Sequence, residues 1–222
     1  MRRAKCGLAL ITIGLLLIAA ALFIAGYNIY TDQMADRSAR QALERLAEIT
    51  NLPRETVTEV PEYIFDETET VYEPSSSDKI EIPDYVLDPN MKMPTGEVDG
   101  VEYIGILKLP SLELELPIIS EWDYPSLKTA PCRYSGSVYK DDIVICGHDY
   151  RAHFGNLKQL SYGDKVLFTD MDGNIFNYTV ADIEVLSATA IGEMTSGEWD
   201  MTLFTCTVGG QNRLAVRLDR TK

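Results

Sequence analysis

The sequence predicts an all-β domain, a closed barrel or a sandwich, carried on a tether behind a membrane-spanning helix. Three observations predict it. An uncharged apolar run fills residues 7–27 behind a basic leader, residues 51–99 are acidic and proline-rich, and from Gly100 onward short strand-like segments alternate with turns. Those segments crowd into roughly 120 residues with room only for short helices between them, which argues against a parallel sheet with crossover helices. The 34 acids against 20 bases argue against a nucleic-acid partner, which needs clustered Lys and Arg. Four cysteines are too few for a disulfide scaffold, so the fold rests on a hydrophobic core.

Taken in order, residues 1–30 form a leader and an anchor. Arg2, Arg3 and Lys5 precede the apolar run. About 20 apolar residues at 1.5 Å each cross a hydrocarbon layer of about 30 Å, and in lipid only a helix satisfies its own backbone. The run outlasts the apolar region of a cleaved signal, and Ala19-Ala20-Ala21 leads into Leu22-Phe23-Ile24 instead of a polar exit. An uncleaved anchor is expected, with the N-terminus cytoplasmic and everything beyond Tyr30 outside. Cys6 at the cytoplasmic edge is a candidate for acylation.

Residues 31–50 carry alanines and leucines at helical spacing among Arg and Glu, from Ala35 to Ala47, and read as a solvated stalk ended by Asn51-Leu52-Pro53. Residues 51–99 hold 6 of the 10 prolines and a large excess of acids. That composition buries too little apolar surface to offset ordering, so a mostly disordered tether is expected. Within it, Met93-Pro94-Thr95-Gly96 reads as linker and Asp88-Pro89 as a plain turn.

Residues 100–222 form the folded domain. Strands are expected at Tyr103–Lys108, Glu113–Ile119, Asp142–Cys146, Lys165–Thr169, Ile175–Leu186, Thr202–Thr207 and Arg213–Leu218, with short helices near Tyr124–Lys128 and Asn156–Leu160. If Gly209-Gly210 form the centre of a tight hairpin, counting outward sets Cys206 opposite Arg213, Phe204 opposite Ala215 and Thr202 opposite Arg217. Side chains directly opposed on one face lie about 5 Å apart at Cβ. That register makes Arg213, not Arg217, the cation beside the thiol. His148 follows the strand ending at Cys146, where Gly147 allows the backbone to bend.

A thiol, an imidazole and a guanidinium suit acyl transfer. A nearby cation stabilises the thiolate, the thiolate attacks a carbonyl, the imidazolium protonates the leaving amine, and the guanidinium stabilises the oxyanion. A lone cysteine at a strand end is otherwise commonly a small buried apolar residue.

Thr202-Leu203-Phe204-Thr205-Cys206 resembles the Thr-Leu-x-Thr-Cys signature of sortases, the cysteine transpeptidases of Gram-positive cell surfaces. Gly147-His148 after an apolar strand and Asn212-Arg213-Leu214-Ala215-Val216 after the cysteine resemble the family's histidine and arginine sites, in the same order. Asn156–Leu160 followed by Gly163-Asp164 is similar to the family's segment after the histidine. The resemblance covers residues 100–222 and implies the sortase-like eight-stranded closed β-barrel. It implies catalytic roles for His148, Cys206 and Arg213, and a part for Thr205 in shaping the peptide groove. It further implies cleavage of a Leu-Pro-x-Thr-Gly-like sorting signal through a Cys206 thioester, which a peptidoglycan or pilin amine resolves. The partners would then be surface proteins bearing that signal.

A peptidase whose thioester is resolved by water, and a non-catalytic module that binds a surface protein, stay as alternatives. Subclass stays open: the stretch from Leu186 to Thr202 is too short for the extra helix typical of class B, no second apolar span follows the barrel, and Asn90 stands where a pilin-type lid would carry an aromatic.

No cofactor is expected. Cys146, His148, Asp149 and His153 cluster in sequence, but no further Cys or His pair completes a zinc set, so no metal is expected. His153 reads as a surface or substrate-rim residue, and Cys132 and Cys146 as reduced packing residues. Asp170 to Asn174 holds part of a calcium-loop pattern but reads more simply as a hairpin turn. Calcium at Glu184, Glu193 and Glu198 is left open.

Overall fold

Most strands pair with their neighbours in sequence, and the computed structural model, which describes residues 2–50, 82–207 and 209–221, shows how the sheet closes. Its strands are β1 (Gly96–Val98), β2 (Val101–Leu109), β3 (Leu114–Ile119), β4 (Cys132–Ser135), β5 (Ile143–Cys146), β6 (Lys165–Asp170), β7 (Ile175–Ser187), β8 (Met201–Cys206) and β9 (Asn212–Arg220). They follow the order β1-β2-β3-β4-β5-β8-β9-β7-β6, and β6 pairs back onto β2. The eight strands from β2 to β9 therefore form a closed barrel, as expected. β1 adds to the start of β2, along the edge that β6 occupies further on.

All seven expected strands are present within a few residues. β1 and β4 were not expected. β4 (Cys-Arg-Tyr-Ser) is too short and polar to stand out by periodicity. β1 precedes the expected domain start: Asp99 and Gly100 form the turn of a β1–β2 hairpin, with φ 53° and 79°.

The barrel interior takes the alternate residues of each strand, among them Leu107, Leu116, Ile145, Phe168, Tyr178, Leu203 and Val216, all essentially buried. Its outer wall is covered too. Helix α1 (Arg2–Thr50) runs unbroken through the apolar segment and onto the barrel, where Ala35, Ala39, Ala42 and Leu46 are buried. Their spacing of three and four residues makes one stripe, and the small alanines allow close approach to the sheet, where Leu46 joins Val98, Tyr103 and Ile106. The stalk is thus docked along one face instead of solvated all round. The alanine pattern was legible; the sheet surface it meets was not. α1 is long and apolar enough to cross a membrane.

Of the expected tether, residues 51–81 lie outside the described residues. Residues 82–95 pack on the barrel: α2 (Asp84–Leu87) brings Tyr85 flat onto Tyr139, with ring centroids 4.7 Å apart, and Met93 enters the core cluster. The segment read as linker is therefore part of the folded unit, because Tyr85, Met91 and Met93 pack against the core while Ile82, Val86 and Leu87 stay exposed. The remaining α-helices are α3 (Tyr124–Leu127), started by Pro125 and the Asp123 cap, and α4 (Ile191–Met194); single 3-10 turns lie at Pro110–Leu112 and at Leu157–Gln159, the latter where a short helix was expected.

Candidate active site

Strand register places the three chemical groups at one rim. β5 and β8 run parallel with Cys146 beside Phe204, and the ladder continues one step as the Gly147 N–H donates to the Phe204 carbonyl at 3.1 Å. His148 and Cys206, each two residues past that pair, leave the barrel at the same end. β8 and β9 pair antiparallel with Cys206 opposite Arg213, Phe204 opposite Ala215 and Thr202 opposite Arg217, the register counted from the sequence. The turn itself differs. Gly209 and Gly210 both take positive φ (85° and 72°), but the turn bond runs from the Gly210 N–H to the Thr207 carbonyl, and the Thr207 N–H donates to the Asn212 carbonyl at 3.0 Å. The connection is a wider loop, symmetric about the glycines, so the register survives.

Cys206, His148, Arg213 and Thr205 all line one groove of about 230 Å³. Phe204, Tyr134 and Cys146 line it too, together with Ile191 and Met194 of α4 and with Trp122 and Tyr124. These aromatics form a chain of ring contacts from exposed Tyr124 through Trp122 and Tyr134 to Phe204, with centroid separations of 5.8, 5.5 and 5.4 Å. The sequence reading missed α4 and this aromatic row. Trp122-Asp123-Tyr124 was the available signal, but nothing in it points to the groove.

The three described cysteines differ by position. Cys132 and Cys146 are buried free thiols directly opposite each other on β4 and β5. Burial pushes both thiols up, Cys146 to about 12, so they stay protonated at neutral pH. Cys206 is the partly exposed one. The side chain of Cys6 lies outside the described residues.

His148 is held by its loop. Its carbonyl accepts the Phe154 N–H at 3.0 Å, and its ring lies over Tyr150 with centroids 4.7 Å apart. Burial lowers its pKa, Lys128 adds to the effect, and Asp149 opposes it. Its buried Nε2 has no hydrogen-bond partner among the described residues. Gly147 serves packing more than bending: a Cβ there would sit 2.6 Å from the Phe154 ring. Arg213 lies over the hairpin, its Nη1 donating to the Gly210 and Asn212 carbonyls at 3.0 Å each. Thr205 is buried, and its Oγ1 has no partner among the described residues.

His153 is not at the surface. It is fully buried, because the loop turns inward through the His153 N–H to Tyr150 carbonyl bond of 2.9 Å. Burial lowers its pKa to about 4, helped by His148 and opposed by the Thr129 backbone and by Asp32 and Asp36. The Thr129 backbone lies close, but neither ring nitrogen reaches hydrogen-bond geometry with it or with any other described residue. The stalk touches this loop: Asp32 of α1 accepts the Ala152 N–H at 3.2 Å.

Arg217 is committed elsewhere, buried under a salt bridge to Glu184. The Asp88–Met91 turn lies on the face with Tyr85 and does not line the groove. Asp170 is the hinge of the β6–β7 hairpin, its carboxylate accepting from the Asp172 and Asn174 backbones and from Tyr139. Among the described residues, no three His, Cys, Asp or Glu side chains converge to hold a metal ion.

A family model described as "Sortase domain" matches residues 107–221. A search of curated protein sequences finds no match. Among solved structures, a Clostridium perfringens sortase D5 transpeptidase aligns at 18% identity with a TM-score of 0.50, covering 63% of this chain and 88% of that one. A Clostridium perfringens sortase C with the C-terminal cell wall sorting motif aligns at 25% identity and 0.49, covering 59% and 74%. A lid mutant of Corynebacterium diphtheriae sortase A aligns at 22% and 0.48, covering 62% and 75%. The D5 likeness shows the shared barrel.

Proposed function

The chain belongs to the sortase family, whose members are cysteine transpeptidases, and we propose that it cleaves a Leu-Pro-x-Thr-Gly-like sorting signal at Cys206 and transfers the acyl group to an amine. The observation that carries this reading is the meeting of Cys206, His148 and Arg213 along one open groove, set by two strand registers that share β8.

Attack by the Cys206 thiolate on the scissile carbonyl forms the S–C bond and moves an electron pair onto oxygen. Arg213 faces that charge with a guanidinium already oriented by the hairpin carbonyls. Collapse expels the amine, which takes a proton from the His148 imidazolium, and the thioester remains. The incoming amine reverses these steps: it attacks the thioester, His148 accepts its proton, and the thiolate leaves. No cofactor is needed in this sequence. Burial lowers the pKa of His148, which makes its imidazolium a stronger acid towards the leaving amine and a scarcer form at neutral pH.

The acceptor in this reading is a peptidoglycan or pilin amine. The sorting motif carried by the Clostridium perfringens sortase C complex is a chemical precedent for the donor. α1 would anchor the protein with its basic leader in the cytoplasm and the barrel outside. The test is a fluorogenic sorting peptide offered with and without an amine, followed by mass spectrometry of the protein. A thioester adduct on Cys206 and amine-dependent product support transfer. Product that never incorporates amine marks a water-resolved peptidase. Turnover untouched by alkylation of Cys206 removes Cys206 as the nucleophile, and an unmodified chain that never turns over peptide favours a non-catalytic binding module.

A further inference from the structure

One wall of the groove hangs on a single buried guanidinium. Arg217 is 2% exposed and lies four residues past Arg213 on β9. Its Nε donates to Glu184 Oε1 at 2.7 Å and its Nη1 to Thr202 Oγ1 at 2.9 Å. Nη1 also donates to the Met194 carbonyl at 3.3 Å, and Nη2 to the Glu193 carbonyl at 2.9 Å. Two partners are therefore side chains on β7 and β8, fixed in the barrel. The other two are the closing carbonyls of α4.

A one-turn helix cannot satisfy its own final carbonyls, and a cation at that end is favourable. α4 has few other ties. No side chain caps its start, and nothing lies within 4 Å of where a Cβ would sit on Gly192 or Gly197. Met194 is its buried anchor, packed with Val144, Leu186 and Ala215. A buried ion pair adds little net stability over an apolar side chain of similar volume. An apolar side chain, however, could not reach both carbonyls.

We propose that Arg217 is a positioning residue for the β7–β8 loop, holding α4 against the barrel so that Ile191 and Met194 form the groove wall that meets the donor peptide. The peptide part rests on the transpeptidase reading; the pinning of the loop does not. Arg213 and Arg217, though neighbours on one strand, then divide two tasks: the reacting oxygen for the first, the shape of the binding wall for the second. Glu184 is engaged by this pin through Oε1.

The test uses the full chain in detergent and the variants Arg217→Lys and Glu184→Gln, read by hydrogen exchange across residues 188–198 and by kcat and KM for a sorting peptide. Arg217→Lys keeps the charge and loses the fork. Exchange in the loop should accelerate about tenfold with β5 and β8 unchanged, since hydrogen bonds to a charged group are lost. KM should rise about tenfold while kcat stays within about twofold, and added calcium should restore neither. Glu184→Gln should shift exchange in the same direction by less.

Unchanged loop exchange in folded Arg217→Lys overturns the proposal, as does a fall in kcat without a rise in KM. If Arg217→Lys does not fold, the Glu184→Gln exchange decides alone, and no change there overturns it. A wild-type chain that never turns over peptide defeats the transpeptidase reading, and the exchange data still judge the pin.

Discussion

Burial of His153 behind the loop that carries His148 has a measurable consequence at acid pH. Its folded pKa is about 4, against 6.5 for an exposed histidine. The unfolded chain therefore binds this proton first, and stability present above pH 6.5 is lost as the pH falls towards 4. The full shift corresponds to roughly 3 kcal/mol, and near pH 5 roughly 2 kcal/mol of it is already gone. His153→Phe keeps an aromatic ring beside Tyr150, whose centroid lies 5.6 Å from that of His153, and removes the proton. The assay is urea unfolding followed by tryptophan fluorescence at about pH 7 and pH 5, for wild type and variant. Titrating groups that do not interact with His153 are common to both proteins and cancel in the difference, and His148, which does interact with it, is controlled by repeating the comparison in a His148→Gln background. The wild type should lose about 2 kcal/mol more than the variant between the two pH values. Equal losses would refute the reasoning, because they would mean that His153 takes up its proton without opening the loop.

Cys206→Ala should abolish thioester formation, whereas Cys146→Ala should retain turnover, checked by intact-mass measurement after incubation with peptide; the reverse outcome would move the nucleophile to the barrel wall. Arg213→Lys should lower kcat by about 100-fold despite keeping the charge, as expected for a misplaced oxyanion donor, and steady-state kinetics would read it. Gly147→Ala should cost roughly 1–3 kcal/mol and displace His148, because the new Cβ would meet the Phe154 ring at 2.6 Å; denaturant melts and peptide turnover should fall together. Ala39→Glu on the docked stripe of α1 should loosen the stalk from the barrel, seen as faster hydrogen exchange along residues 32–46 with barrel strands unchanged.

What the sequence determined by itself was local and countable. Seven strands came from alternation and β-branched content, the long apolar helix from an uncharged run, and the Cys206–Arg213 pairing from counting across two glycines. Each depends on residues near one another in the chain, where period and turn chemistry act directly. The closure of β6 onto β2 and the parallel seating of β5 beside β8 join segments far apart in sequence, and no periodicity encodes which edges meet. The same limit explains the misread places. Whether an alanine stripe is solvated or docked, and whether a histidine faces water or the interior, depends on the surface that folding brings against it. Tertiary packing alone decided that α1 lies on the barrel, that His153 is buried, and that Arg217 reaches the closing carbonyls of α4.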